Sequence, residues 1–162
     1  MDEILSIVNE NDGVIGKAGR KDVLIKKLLH RSVSVVVKNL RGEILVTKRS
    51  ANVDSFPNMI DARVAGRVKA GETYDETAIR ELSEEVRIEN PKIKFLFKKL
   101  FPEYHAFRSI YECIYGGKLR LQKEEVAWAK FLPISELKEM MAKKDFSPSS
   151  RAVLEEYFKH ET

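Results

Sequence analysis

Three glutamates, Glu81, Glu84 and Glu85, stand within five consecutive residues, in a stretch free of glycine and proline from Thr73 to Glu89. On a helix of 100° per residue with Ala78 at the origin, Leu82, Val86 and Ile79 fall at about 40°, 80° and 100° and form an apolar stripe. Glu84, Glu81 and Glu85 fall at about 240°, 300° and 340°, so two consecutive turns project three carboxylates from a separate sector. Like charges at this spacing repel by about a few tenths of a kcal/mol per exposed pair, and by more where water is scarce. An oxygen-rich anionic cluster is what Mg²⁺ or Mn²⁺ prefers, and a cation there would offset the repulsion. The plain alternative is a solvated charged face, the common fate of surface carboxylates.

The residues upstream weigh against that alternative. From Gly66 the chain reads Gly-x5-Glu-x7-Arg-Glu-Leu-x-Glu-Glu-x-Arg-Ile, with Glu72, Arg80 and Glu81 at the specified places and Ile88 as the last position. This resembles the Nudix box, Gly-x5-Glu-x7-Arg-Glu-hydrophobic-x-Glu-Glu-x-Gly-hydrophobic, at every specified position over residues 66–88 except the second glycine, where Arg87 stands. A glycine near a helix end supplies a left-handed cap, so Arg87 is expected to cost about 1 kcal/mol or to move the cap toward Asn90.

The resemblance implies an α/β fold: a Nudix-type α/β/α sandwich with a mixed β-sheet, whose box holds Mg²⁺ (or Mn²⁺) against a diphosphate. It implies Glu84 and Glu85 as metal ligands, and Glu81 as a ligand or as the group that orients or deprotonates the water. All three are thereby catalytic candidates. The backbone carbonyl near Ala65 or Gly66 is implied as a further ligand, and Arg80 and Glu72 as an ion-paired shell that orients the carboxylates. Glu125 is either another ligand or an ordinary surface residue beside Glu124. A diphosphate resists hydrolysis because its negative charge repels the nucleophile; metal ions neutralise that charge, activate water and align the attack. The expected reaction is therefore metal-dependent cleavage of the pyrophosphate linkage in a nucleoside diphosphate derivative.

Around the proposed cleft, Arg49, Arg63 and Arg67 are candidates for binding substrate phosphates through paired guanidinium hydrogen bonds. Phe56 and Tyr104 are either base-stacking aromatics or core plugs. His30-Arg-Ser32, Gly42 to Ser50, Phe56 to Asp61 and Ala65-Gly66 look like the Nudix branch that includes isopentenyl diphosphate isomerases. Those isomerases carry a catalytic cysteine and a metal-binding histidine where this chain has Ala65 and Arg67, which counts against isomerisation. The other alternative is a non-catalytic nucleotide-binding module, and retention of a repulsive carboxylate cluster counts against it.

Several elements must position these groups. Thr73 with Glu76 makes a capping box that opens a helix over about residues 74–86. Extended runs are expected at Ile4 to Val8, Arg63 to Val68, Lys92 to Phe101, Ala106 to Tyr115 and Glu125 to Phe131, with helices at Ile134 to Lys143 and Ser149 to Lys159. Ser32 to Val37 and Glu43 to Arg49 flank a turn at Asn39 to Gly42 and read as a hairpin. Asn11 to Gly13 is a turn, Lys17 to Leu29 irregular or helical, and Asp54 to Asn58 a loop.

The 162 residues suit one domain, with no repeat or linker to divide them. Hydrophobic residues at 43% support a core, which excludes a disordered chain. A net charge of +4 suits anionic small molecules, and no nucleic-acid partner is expected. The lone Cys113 reads as core, forms no internal disulfide and points to the cytoplasm. Neither a leader nor a membrane span is legible. A homodimer is the commonest assembly for such a chain.

Overall fold

The computed structural model describes residues 2–53, 56–121 and 124–160. Its described strands join one nine-stranded mixed sheet: β1 (Ile4–Val8), β2 (Val14–Gly19), β3 (His30–Lys38), β4 (Ile44–Arg49), β5 (Ile60–Asp61), β6 (Val64–Arg67), β7 (Ile93–Phe101), β8 (Ala106–Ile114) and β9 (Val126–Leu132). The helices are α1 (Arg20–Lys26), α2 (Tyr74–Val86), α3 (Ile134–Met141) and α4 (Pro148–His160).

β3 carries valines on both faces, as befits a strand covered by helices on both sides of the sheet. Val33, Val35 and Val37 pack with Ala78, Leu82 and Val86 of α2, whereas Val36 packs with Leu137 of α3 and Leu154 and Tyr157 of α4. The sheet thus separates α2 from α3 and α4, the expected α/β/α sandwich. One edge of β3 runs parallel to β8 and the other antiparallel to β6.

That pairing corrects the expected hairpin. β3 and β4 meet only at Lys38 and Ile44, beside a turn in which Asn39 Oδ1 accepts from the backbone of Arg41 and Glu43. The strands then part: β3 goes to β6 and β8, and β4 to β5 and β9. Residues of both groups line one cleft of about 690 Å³.

A second correction lies near the N-terminus. Lys17 to Gly19 is neither irregular nor helical but the end of β2, registered antiparallel against Ile4 to Ser6. The β-branched pair Val14-Ile15 starts this strand, and helix begins only after Gly19. Of the loop expected from Asp54 to Asn58, Asp54 and Ser55 lie outside the described residues. Among the described residues, no helix is long and apolar enough to cross a membrane.

Candidate active site

α2 begins as its sequence dictates. The Thr73 hydroxyl accepts from the Glu76 backbone at 3.1 Å, and the Glu76 carboxylate accepts from the Thr73 backbone at 2.9 Å, satisfying two amides that a helix start leaves orphaned. It ends at Arg87, which keeps the left-handed backbone (φ 57°) while Ile88 N–H donates to Leu82 and Arg87 N–H to Ser83. The cap therefore stays where the box has its glycine, with arginine bearing the strain.

Between these ends Ala78, Leu82 and Val86 clamp α2 onto β3 and β6 and so set the glutamates, whereas Ile79, expected in the same stripe, is 42% exposed. Glu81 lies directly over Gly66 of β6: a Cβ at that glycine would overlap the Glu81 carboxyl group. Arg80 organises the rest. Its Nε and Nη2 donate to the two oxygens of Glu72 at 2.7 and 2.9 Å, and its Nη1 donates to Glu81 at 2.8 Å and to Glu84 at 3.3 Å. Glu72 also accepts from the Lys69 backbone and from Thr77 Oγ1. The Arg80 hydrogen bonds hold the Glu72 carboxyl down at about 2, while Glu72 in turn raises Arg80. The pair is thus charged, and Arg80 reaches from it to both Glu81 and Glu84.

Glu81 and Glu85 behave differently. Burial, against the pull of Arg80, lifts the Glu81 carboxyl above the ordinary range. Burial first, then repulsion from Glu81 and Asp61, lifts Glu85 well above it, opposed by Arg63. A hard divalent cation suits this all-oxygen donor set and would relieve its repulsion. Glu84 is more exposed, at 55% of its side chain, and leans on Arg80. Among the described residues, no three carboxylate, imidazole or thiolate groups converge closely enough to hold an ion as they stand. Glu84 would have to turn from Arg80 to join the other two.

Gly66, Arg49, Arg63, Arg67, Glu85 and Glu125 all line the cleft, as do Phe56 and Tyr104. Glu125 is exposed and precedes β9, its carbonyl accepting from Ser50 N–H at 2.8 Å. Ala65 and Arg67 also face the cleft, so β6 offers neither thiol nor imidazole where the isomerases have them.

Two residues escaped the sequence reading. Asp61, on the two-residue strand β5, faces Glu85 and Arg63; its Oδ1 lies 3.7 Å from Arg63 Nε. Nothing local marks it, because long-range pairing of Thr47 with Asp61 places it. Arg108 on β8 is 94% buried, as its 6% exposure shows, and stacks 4.3 Å over the Tyr104 ring. Its signal was visible: a lone charge inside the apolar run Ala106 to Tyr111.

An α/β/α sandwich with a glycine-seated carboxylate helix beside an arginine-lined cleft defines a class of protein that handles diphosphates. The chain belongs to the Nudix family: the NUDIX domain model matches residues 28–157. It is 40% identical over 151 residues to an uncharacterized Nudix hydrolase of Streptomyces coelicolor, spanning 91% of this chain and 83% of that one. It is 33% identical over 114 residues to a Nudix hydrolase of Deinococcus radiodurans, spanning 70% and 67%. A crystal structure from Deinococcus radiodurans superposes with a TM-score of 0.80 at 26% identity, covering 95% of this chain and 98% of that chain. The NUDIX domain of Shewanella oneidensis NrtR, complexed with ADP ribose, shares the fold at 14% identity with a TM-score of 0.62, covering 88% and 99%. The relatives matched by sequence are Nudix hydrolases, which supports a hydrolase acting on pyrophosphate-type bonds.

Proposed function

We propose that the chain is a Mg²⁺- or Mn²⁺-dependent hydrolase that cleaves the pyrophosphate linkage of a nucleoside diphosphate derivative in the cytoplasm. The observation that supports this most is Glu81 seated over Gly66 with Arg80 and Glu72 behind it, while Gly66 and Glu85 line a cleft shared with Arg49, Arg63 and Arg67 that Glu81 and Glu84 do not themselves line.

Glu81, Glu84 and Glu85 would hold the metal, with the Gly66 carbonyl and Glu125 as further oxygen donors. A bound divalent ion would neutralise diphosphate charge and lower the pKa of water. Where Glu81 is not itself a ligand, its carboxylate, held by Arg80, would take the proton of the attacking water. Oxygen from water forms a new bond to one phosphorus as the bridging P–O bond breaks, and the other phosphate leaves with the bridging oxygen. Arg49 would fix oxygens of the diphosphate, Arg63 and Arg67 would bind the substrate further along the cleft, and Glu72 with Arg80 would keep Glu81 aimed.

The test is ³¹P NMR of a panel of nucleotide sugars, dinucleotide cofactors and nucleoside triphosphates with Mg²⁺ or Mn²⁺. At least one should resolve into two phosphate-bearing products, with turnover stopped by EDTA. No cleavage with either metal, or cleavage indifferent to EDTA, overturns the reading.

A further inference from the structure

The cleft is charged unevenly. From Glu85 and Asp61 the contacts run to Arg63, whose Nη2 donates to Ser149 Oγ at 2.8 Å, and on to Arg108, whose Nη2 donates to the same hydroxyl at 2.7 Å. Arg67 joins them by register: Arg67, Ser32 and Arg108 form one row across β6, β3 and β8. The alternation of β6 turns Gly66 toward α2 and Arg67 to the opposite face, where Arg63, just before β6, reaches Ser149 at the start of α4.

Ser147 caps α4, its hydroxyl accepting from Ser150 N–H at 3.2 Å, and the following turn adds the partial positive charge of a helix start. The Nε atoms of Arg63, Arg67 and Arg108 are all buried and all lack a hydrogen-bond partner. Side-chain exposure of Arg63 is 9%, and Arg108 is 6% exposed. Arg67 and Arg108 each leave a buried donor unused and Arg63 Nε has only Asp61 at 3.7 Å, a cost that a ligand in the cleft would offset. Among the described residues only Asp61 stands within ion-pair reach of any of the three, while Glu85 opposes Arg63 and Glu3 opposes Arg67 from farther off, so the guanidinium charge is only partly balanced. Exposed Arg20 and Glu103 at the rim cancel one another.

We infer that this end of the cleft holds a phosphomonoester dianion carried by the substrate, separate from the diphosphate that is cut. A phosphomonoester brings close to two negative charges at neutral pH and oxygens matched to guanidinium forks, whereas a phosphodiester brings only one charge. The inference rests on the hydrolase reading for its substrate and narrows it: the favoured diphosphate compound bears an additional phosphomonoester.

The first arm of the test needs no turnover. Inorganic phosphate is titrated into the metal-free protein in EDTA by isothermal calorimetry, with thermal melts confirming that each variant is folded. Wild type should saturate, Arg67→Gln and Arg108→Lys should each weaken binding by about tenfold or more, and Arg41→Gln, on an exposed turn, should leave it unchanged. Failure to saturate by about 50 mM phosphate, or equal affinity in wild type and both cleft variants, overturns the anion site.

The second arm compares pairs of diphosphate compounds that differ by one phosphomonoester. Wild type should favour the phosphorylated member by about tenfold in kcat/KM, and Arg67→Gln should abolish that preference. Phosphate binding with no such preference assigns the site to free phosphate and overturns its role in substrate recognition. Absence of all turnover counts against the hydrolase reading alone, since the phosphate titration still decides the anion site.

Discussion

Replacement of Gly66 by alanine probes the contact on which the site depends. The backbone there needs no left-handed conformation, so alanine pays no strain of that kind. In a strand, alanine is otherwise better than glycine by about 0.5–1 kcal/mol. Against that gain stands the overlap of the new methyl with the Glu81 carboxyl group. Overpacking of this sort costs about 1–3 kcal/mol, which leaves a net loss of about 0–2.5 kcal/mol. Glu81→Ala removes the Cγ, Cδ and Oε1 atoms that the methyl would meet, so in that background Gly66→Ala should turn stabilising. Urea denaturation of the two single variants and the double variant would measure a coupling of about 1–3 kcal/mol. Steady-state kinetics should show Gly66→Ala slower by about 100-fold, because a displaced Glu81 loses both Arg80 and the water. Equal stabilisation by Gly66→Ala in both backgrounds would refute the seating of Glu81.

Other consequences follow from the same contacts. Arg87→Gly should stabilise the protein by about 1 kcal/mol in denaturant melts, since it relieves the left-handed cap and leaves the glutamates in place. Arg80 depresses the Glu72 carboxyl from 4.5 to about 2, so its contribution is fully present above pH 4.5 and is lost as pH falls toward 2. After allowance for solvent screening it is on the order of 2 kcal/mol; Glu72→Gln should be less stable at pH 7 and show a shallower decline on acidification. Asp61→Asn should lower kcat by about tenfold or more while circular dichroism stays unchanged, because Asp61 faces both Glu85 and Arg63.

What was legible in the sequence was local. The capping box, the apolar stripe of α2 and the spacing from Gly66 to Ile88 are all contained in 23 consecutive residues, so periodicity and motif were enough to place Glu81, Glu84 and Glu85 on one helix. The strands at Ile4, Ile93 and Ala106 were legible because β-branched and aromatic residues mark them. The partners of β3 were not, since a turn at Asn39 predicts a hairpin while the burial of both its faces decides its neighbours. Asp61 was hidden for the same reason: its two-residue strand exists only through β4. Arg108 carried a visible anomaly whose meaning depended on Ser149, distant in the chain.

We propose that the α2 glutamates perform metal-dependent diphosphate hydrolysis. Its most direct test is the initial rate of Glu84→Gln beside wild type, on whichever panel member is cleaved, at saturating Mg²⁺ and with matched thermal melts. Loss of a ligand or of its charge predicts a fall in kcat of about 100-fold or more, with the fold intact. A Glu84→Gln variant as fast as wild type would contradict the account.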